Sequence, residues 1–226
     1  PVKHGLMKPS EARKRSIDIF RRLLLPDPPH IGNRFPHQVS GGQLQRIMVA
    51  MAMSCYPDMI VFDEPTTALD VIGQDQILRG ISSLQKKMNA SILMITHDIS
   101  VVAEICSRAA VMYAGKIAEI GSITGILKRP FHPYSMGLKN AFPSILGEKQ
   151  ELISIPGAPP QLVDPPAGCL FHPRCPFSLE ICTEKIPPLV QVGNDQFAAC
   201  HRVSEAENLR GLAADRKTWE RMETGA

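Results

Sequence analysis

The sequence has no long hydrophobic run: its longest apolar stretch, residues 47–53, falls far short of the roughly 20 residues a membrane-crossing helix needs. It also lacks a surplus of either charge sign. Its 25 basic and 22 acidic residues leave a formal net charge of +3, which does not mark a nucleic-acid binder. No internal repeat is evident, and the first residues show no signal-peptide pattern. What remains is an ordinary globular composition, 44% hydrophobic and 21% charged over 226 residues, long enough for one good core plus a smaller unit.

The chemistry concentrates in residues 39–70. Ser40 followed by Gln43 fits a capping box, in which the serine side chain takes the amide at Gln43 and the glutamine reaches back to close the helix start. Between them Gly41 and Gly42 carry no side chains, so backbone amides at a helix N-terminus are open to an anion such as a phosphate. Alone, those four residues equally describe an ordinary capped helix running to about Cys55. Met59, Ile60, Val61 and Phe62 form an apolar run without alternation, expected as a strand buried on both faces of a parallel sheet. Asp63 and Glu64 close it, at the strand end where open α/β sheets place their ligand crevice. Two adjacent carboxylates there are either a solvated acidic turn or a site for Mg²⁺, one acid holding the metal and its neighbour orienting and deprotonating a water. A second apolar run, residues 91–96, hands His97 to the same crevice, with Asp98 placed to cap the next helix.

In order and type, Ser40-Gly41-Gly42-Gln43, the strand ending in Asp63-Glu64-Pro65, Ala68-Leu69-Asp70 and Thr96-His97-Asp98 resemble the ATP-binding cassette (ABC) ATPases. The resemblance implies an α/β fold, the C-terminal part of a P-loop NTPase cassette with a parallel sheet, flanking helices and a helical subdomain. It implies ATP and Mg²⁺ as cofactors, Asp63 as the metal-coordinating acid, Glu64 as the catalytic base and His97 as the switch histidine. It also implies that Asp70 closes the D-loop and that Ser40, Gly41, Gly42 and Gln43 contact ATP held by an opposite subunit. No G-x-x-x-x-G-K-[ST] phosphate loop occurs. The one Gly-Lys pair, Gly115-Lys116, reads as the turn of a hairpin between residues 109–113 and 117–120. With Pro1 first, the chain is expected to be a C-terminal fragment of a longer protein. An amphipathic helix is expected over residues 10–25, in the part that meets a membrane partner in the family.

Beyond Pro130 proline becomes frequent and periodicity fades, which sets the expected divisions at 1–129 for the partial ATPase domain, 130–204 for a second domain and 205–226 for a tail. The tail carries Leu209, Leu212, Trp219 and Met222 at helical spacing and is expected to dock or to be a marginal helix. Pro130-Phe131-His132-Pro133-Tyr134-Ser135, Ile155-Pro156-Gly157-Ala158-Pro159-Pro160, Pro165-Pro166-Ala167-Gly168-Cys169 and Pro173-Arg174-Cys175-Pro176 resemble the C-terminal region of peptide-importer ATPases, a group that includes dipeptide, oligopeptide and nickel importers. The resemblance implies a subunit peripheral to the cytoplasmic face of the cell membrane. Its implied partners are permease subunits, a second ATPase subunit, identical or different, and indirectly a solute-binding protein, with no nucleic acid. A non-transport ABC ATPase acting on nucleic acid or ribosomes, and a stand-alone metal-binding module, are the rival readings.

Cys55 and Cys106 read as core thiols. Cys169, Cys175, Cys182 and Cys200 form C-x5-C-x6-C-x17-C in a segment that reads as weakly cored. Reducing surroundings disfavour disulfides, so a metal or cluster site is expected there. Four thiolates suit a [4Fe-4S] cluster, as some of the resembling transporters hold; zinc, with His172 or His201 as substitute ligands, and unmetallated thiols are the alternatives.

Overall fold

The computed structural model describes residues 1–67, 69–141 and 153–220, which fall into two compact units divided between Ile105 and Cys106. In the first unit, α1 (Pro9–Arg22) starts on a proline whose missing N–H costs nothing there. The Glu11 carboxylate accepts the Lys8 backbone N–H at 3.0 Å. A short α2 (Pro28–Ile31) and a 3₁₀ turn (Pro36–Gln38) lead to α3 (Gly41–Ala52), which the Ser40–Gln43 capping box opens as expected. The Arg15 guanidinium donates to the carbonyls of Met53 and Ser54 at 2.8 and 2.7 Å, closing the C-terminal end of α3. Arg46 on α3 donates to the Leu23 and Leu24 carbonyls and to Gln76 Oε1, tying three helices around one side chain.

Strand β1 (Met59–Asp63), helix α4 (Val71–Met88) and strand β2 (Ser91–Ile95) form a βαβ unit, the strands pairing in parallel with Val61 opposite Leu93 and Asp63 opposite Ile95. Helix α5 (Ile99–Ile105) follows. The core gathers Ile19 and Leu23 from α1, Val49 from α3, Ile60 and Phe62 from β1, and Ile77, Leu78 and Ile81 from α4. The expectation that β1 is buried on both faces needs correcting. Only Ile60 and Phe62 point into this core, while Met59, Val61 and Asp63 face outward, because among the described residues helices pack on one side of the two-stranded sheet alone.

The second unit is built on an antiparallel sheet. Strands β3 (Arg108–Tyr113) and β4 (Lys116–Ser122) form the expected hairpin, turning through Ala114 and Gly115, both at positive φ as a tight right-twisted hairpin requires. Helices α6 (Ile123–Lys128), α7 (Pro133–Asn140) and α8 (Glu180–Glu184) follow, then β5 (Val190–Gly193) and β6 (Gln196–Ala198), giving strand order β3-β4-β6-β5. Helices α9 (Ala206–Ala213) and α10 (Arg216–Glu220) complete it. This segment is better cored than its proline content suggests: Met136, Ile153, Phe171, Phe177, Leu209 and Trp219 are all buried together. Leu209 and Trp219 of the tail thus dock into that core, whereas Leu212 is exposed; Met222 lies outside the described residues, as does Ala68. Cys55 and Cys106 are a second correction, since both are only partly buried and neither belongs to a core cluster. Among the described residues no helix is long and apolar enough to cross a membrane.

Candidate functional site

Asp63 ends β1 with its carboxylate exposed and without a partner among the described residues. Glu64, the next residue, turns to a positive φ of 49°, a conformation that side chains other than glycine, asparagine and aspartate rarely adopt. Its backbone N–H still pairs with the Ile95 carbonyl at 2.9 Å, so β1 and β2 stay joined while the side chain is redirected across the end of β2. There Glu64 Oε1 meets Nδ1 of His97 at 2.8 Å and accepts the His97 backbone N–H at 3.2 Å. Glu64 Oε2 accepts the Thr67 hydroxyl at 2.8 Å. These contacts hold the Glu64 carboxyl below its usual range, the His97 ring first and Thr67 second, and Glu64 in turn raises the imidazole of His97. The structure therefore brings Glu64 and His97, separated by a strand and a helix, into one ion pair open to solvent.

Thr67 and Gln45 belong to this arrangement although their spacing gave no sign of it. Gln45 Nε2 lies 3.4 Å from the Glu64 carbonyl, and its own Oε1 is buried without a hydrogen bond. Nothing marks Gln45 in the sequence, since a polar residue early in a helix is ordinarily solvated; its distance from Glu64 closes only in three dimensions. Gly41 and Gly42 have different surroundings. A Cβ on Gly41 would meet open space, whereas one on Gly42 would lie 2.9 Å from Leu69 Cδ2, so a larger residue at 42 would require the Leu69 side chain to move. Asp70 caps α4, its carboxylate accepting the Gly73 N–H at 2.7 Å.

In the second unit Cys169, Cys175, Cys182 and Cys200 line one cavity. Gly168, at a φ of 69°, lets the chain pass where a Cβ would sit 2.3 Å from the Cys182 carbonyl, and that carbonyl accepts the Cys169 N–H at 2.8 Å. The Arg202 backbone N–H donates to Cys200 Sγ at 3.3 Å. Burial raises the thiols of Cys169 and Cys175 and, outweighing that donor, pushes Cys200 up to about 11. Among the described residues no group of three or more His, Cys, Asp or Glu side chains is arranged to hold a metal ion. His132, 3% exposed, lines the same cavity; burial pulls its ring down to about 4.

Residues 5–67 match the model of the ABC transporter family, and residues 118–182 match that of the oligopeptide/dipeptide transporter C-terminal region. Two stretches of the chain thus match models of the ABC transporter family and of its peptide-transporter C-terminal region. The family's first match takes in residues 40–43, Asp63, Glu64 and Thr67, and its second takes in three of the four clustered cysteines. Among similar proteins, the probable peptide ABC transporter ATP-binding protein of Sinorhizobium fredii is 44% identical over 91% of this chain and 62% of its own length. An oligopeptide transport ATP-binding protein of Salmonella typhimurium is 43% identical over 89% of this chain and 60% of its own. A dipeptide transport ATP-binding protein of Bacillus subtilis is 45% identical over 82% and 56%. The chain thus spans less than two thirds of the length of these curated relatives. A solved ATP-binding cassette of an ABC transporter, in its ADP conformation, aligns with a TM-score of 0.48 at 26% identity over 57% of this chain and 51% of that one.

Proposed function

We propose that this chain is the C-terminal part of an ATP-hydrolysing subunit that powers peptide import. The observation that carries the reading is the Glu64–His97 pair, built at the carboxyl ends of two parallel strands. Glu64 takes the proton of the water that attacks the terminal phosphate, and a carboxylate held ionised by its partners is ready to accept it. His97 fixes Glu64 and offers a hydrogen-bonding group toward that phosphate. Asp63, unpaired at the strand end, fits the oxygen-ligand chemistry of Mg²⁺, which supplies charge neutralisation for the phosphates when bound. Ser40, Gly41, Gly42 and Gln43 present a helix N-terminus to ATP on an opposite subunit, and Asp70 closes the D-loop while capping α4. The subunit works peripherally at the cytoplasmic face of the membrane with permease subunits and a second ATPase subunit, and a solute-binding protein delivers the peptide.

Catalysis needs a phosphate cradle that these 226 residues do not contain, so the chain by itself is expected to show no ATP turnover. In the complete protein, Glu64→Gln should keep ATP binding while slowing hydrolysis by about 10²–10⁴-fold, because the amide keeps the shape but cannot take a proton. Unchanged turnover in that variant, measured as phosphate release, would remove Glu64 from the role of base. Turnover by the isolated chain would show that the cradle lies within it.

Cys169, Cys175, Cys182 and Cys200 line one cavity, and four thiolates are a donor set suited to a [4Fe-4S] cluster or to zinc, although no group among the described residues is arranged to hold a metal ion. Burial raises the thiols of Cys169, Cys175 and Cys200, and the Arg202 backbone N–H donates to Cys200 Sγ. A bound cluster would supply crosslinks and one-electron redox capacity.

A further inference from the structure

Gln45 of α3 uses only half of its amide. Its Nε2 donates to the Glu64 carbonyl at 3.4 Å, and its Oε1 is buried with no partner among the described residues. An orphaned buried acceptor costs stability, and a methionine of the same length would fill that space without the cost. What the glutamine offers over an apolar residue is its N–H, and that N–H is aimed at Glu64.

Glu64 holds a conformation that its sequence resists. It stands at a φ of 49°, and the proline after it draws a preceding residue toward extended values. Two peptide planes flank Glu64, and fixing both fixes its φ and ψ. The plane before it is gripped through its N–H, which donates to the Ile95 carbonyl at 2.9 Å. The plane after it ends in Pro65 and has no N–H, so the Glu64 carbonyl is its sole hydrogen-bonding group. That carbonyl accepts from Gln45 and, at 3.5 Å, from the Thr67 N–H within the same turn. Of these two donors Gln45 alone comes from another element, so it anchors the turn to α3. With both planes held, the Glu64 side chain reaches His97.

We propose that Gln45 is a positioning residue for Glu64: by holding the Glu64 carbonyl it keeps the left-handed turn that aims the carboxylate at His97. Its importance for turnover rests on the reading of Glu64 as the base. Gln45 lies one turn along α3 from Gly41, so in that reading the base is tied to the same helix whose first residues face ATP on an opposite subunit.

The test uses the complete protein. Gln45→Met removes the donor and the orphaned acceptor together while keeping the length of the side chain. Stability by denaturant titration should be unchanged or higher, whereas loss of a merely structural hydrogen bond would lower it. NMR titration of the His97 ring, which Glu64 raises above 6.5, should give a midpoint lowered toward 6.5. Phosphate release should fall about 10–10²-fold in kcat with KM for ATP unchanged, and in a Glu64→Gln background the substitution should have no further effect. A folded variant with an unmoved midpoint overturns the proposal and leaves the base reading standing. A lowered midpoint with unchanged turnover keeps Gln45 as the holder of Glu64 and overturns the base reading, as unchanged turnover in Glu64→Gln would do independently. If Gln45→Met does not fold, Gln45→Asn, whose shorter amide falls short of the carbonyl, is judged by the same midpoint. Failure of both variants to fold makes Gln45 a plain structural residue and overturns the proposal.

Discussion

Glu64 and His97 shift each other in opposite directions, and both signs make a pH dependence. The carboxyl of Glu64 is lowered from 4.5 by the His97 hydrogen bond and then by Thr67, so its contribution to the folded state is present above 4.5 and is lost as pH falls through the lowered value. His97 is raised from 6.5 by Glu64, so its contribution is complete below 6.5 and is lost as pH rises through the raised value. The pair is charged on both sides between those limits. An NMR titration of the His97 ring should give a midpoint above 6.5 that falls toward 6.5 in Glu64→Gln. A midpoint indifferent to that substitution would mean that the 2.8 Å contact does not persist in solution. The carboxylates and the histidine could be read from the sequence because strand ends announce themselves by apolar runs. The positive φ of Glu64 could not, since glutamate is a poor left-handed residue.

Helix α4 depends on Asp70 at its first turn. Asp70→Ala should cost about 1 kcal/mol of stability by denaturant titration, since it frees the Gly73 N–H, while Asp70→Asn retains a capping oxygen and should cost much less. If turnover in the complete protein nevertheless falls in the Asn variant, the loss belongs to the D-loop and not to the helix. The elements themselves were largely legible. The capping box at Ser40, the parallel strands at 59–63 and 91–95 and the hairpin around Gly115 all stand within a few residues of their sequence patterns. Burial was less legible. An unbroken apolar run says that a strand can be buried on both faces, but which faces are covered depends on elements packed from elsewhere, and for Met59 and Val61 none of the described residues does so.

At the scale of the molecule, two separate cores divide the consequences of substitution. If the cysteine cavity holds the proposed cluster, Cys175→Ser should lower iron and sulfide content and reduce amide-exchange protection in residues 153–213, leaving residues 1–105 unchanged, whereas Cys55→Ser and Cys106→Ser should leave the metal content as it was. Equal metal content in all three would remove the cysteine cavity as the binding place. Cysteine spacing alone pointed to a shared site but not to its walls. His132 lies 37 positions before the first of those cysteines, and the Glu119 carboxylate, which accepts the backbone N–H groups of residues 131 and 132, holds it beside them. The side of the β1–β2 pair left uncovered among the described residues bears on how the chain behaves in a tube. Met59, Val61, Leu93 and Ile95, each about half exposed, make an oily strip beside unpaired strand edges, the kind of surface on which molecules stick to one another. The 226-residue chain should therefore be a poorly behaved solute, its weight-average mass in sedimentation climbing with concentration and falling back when Val61 and Leu93 are both changed to threonine.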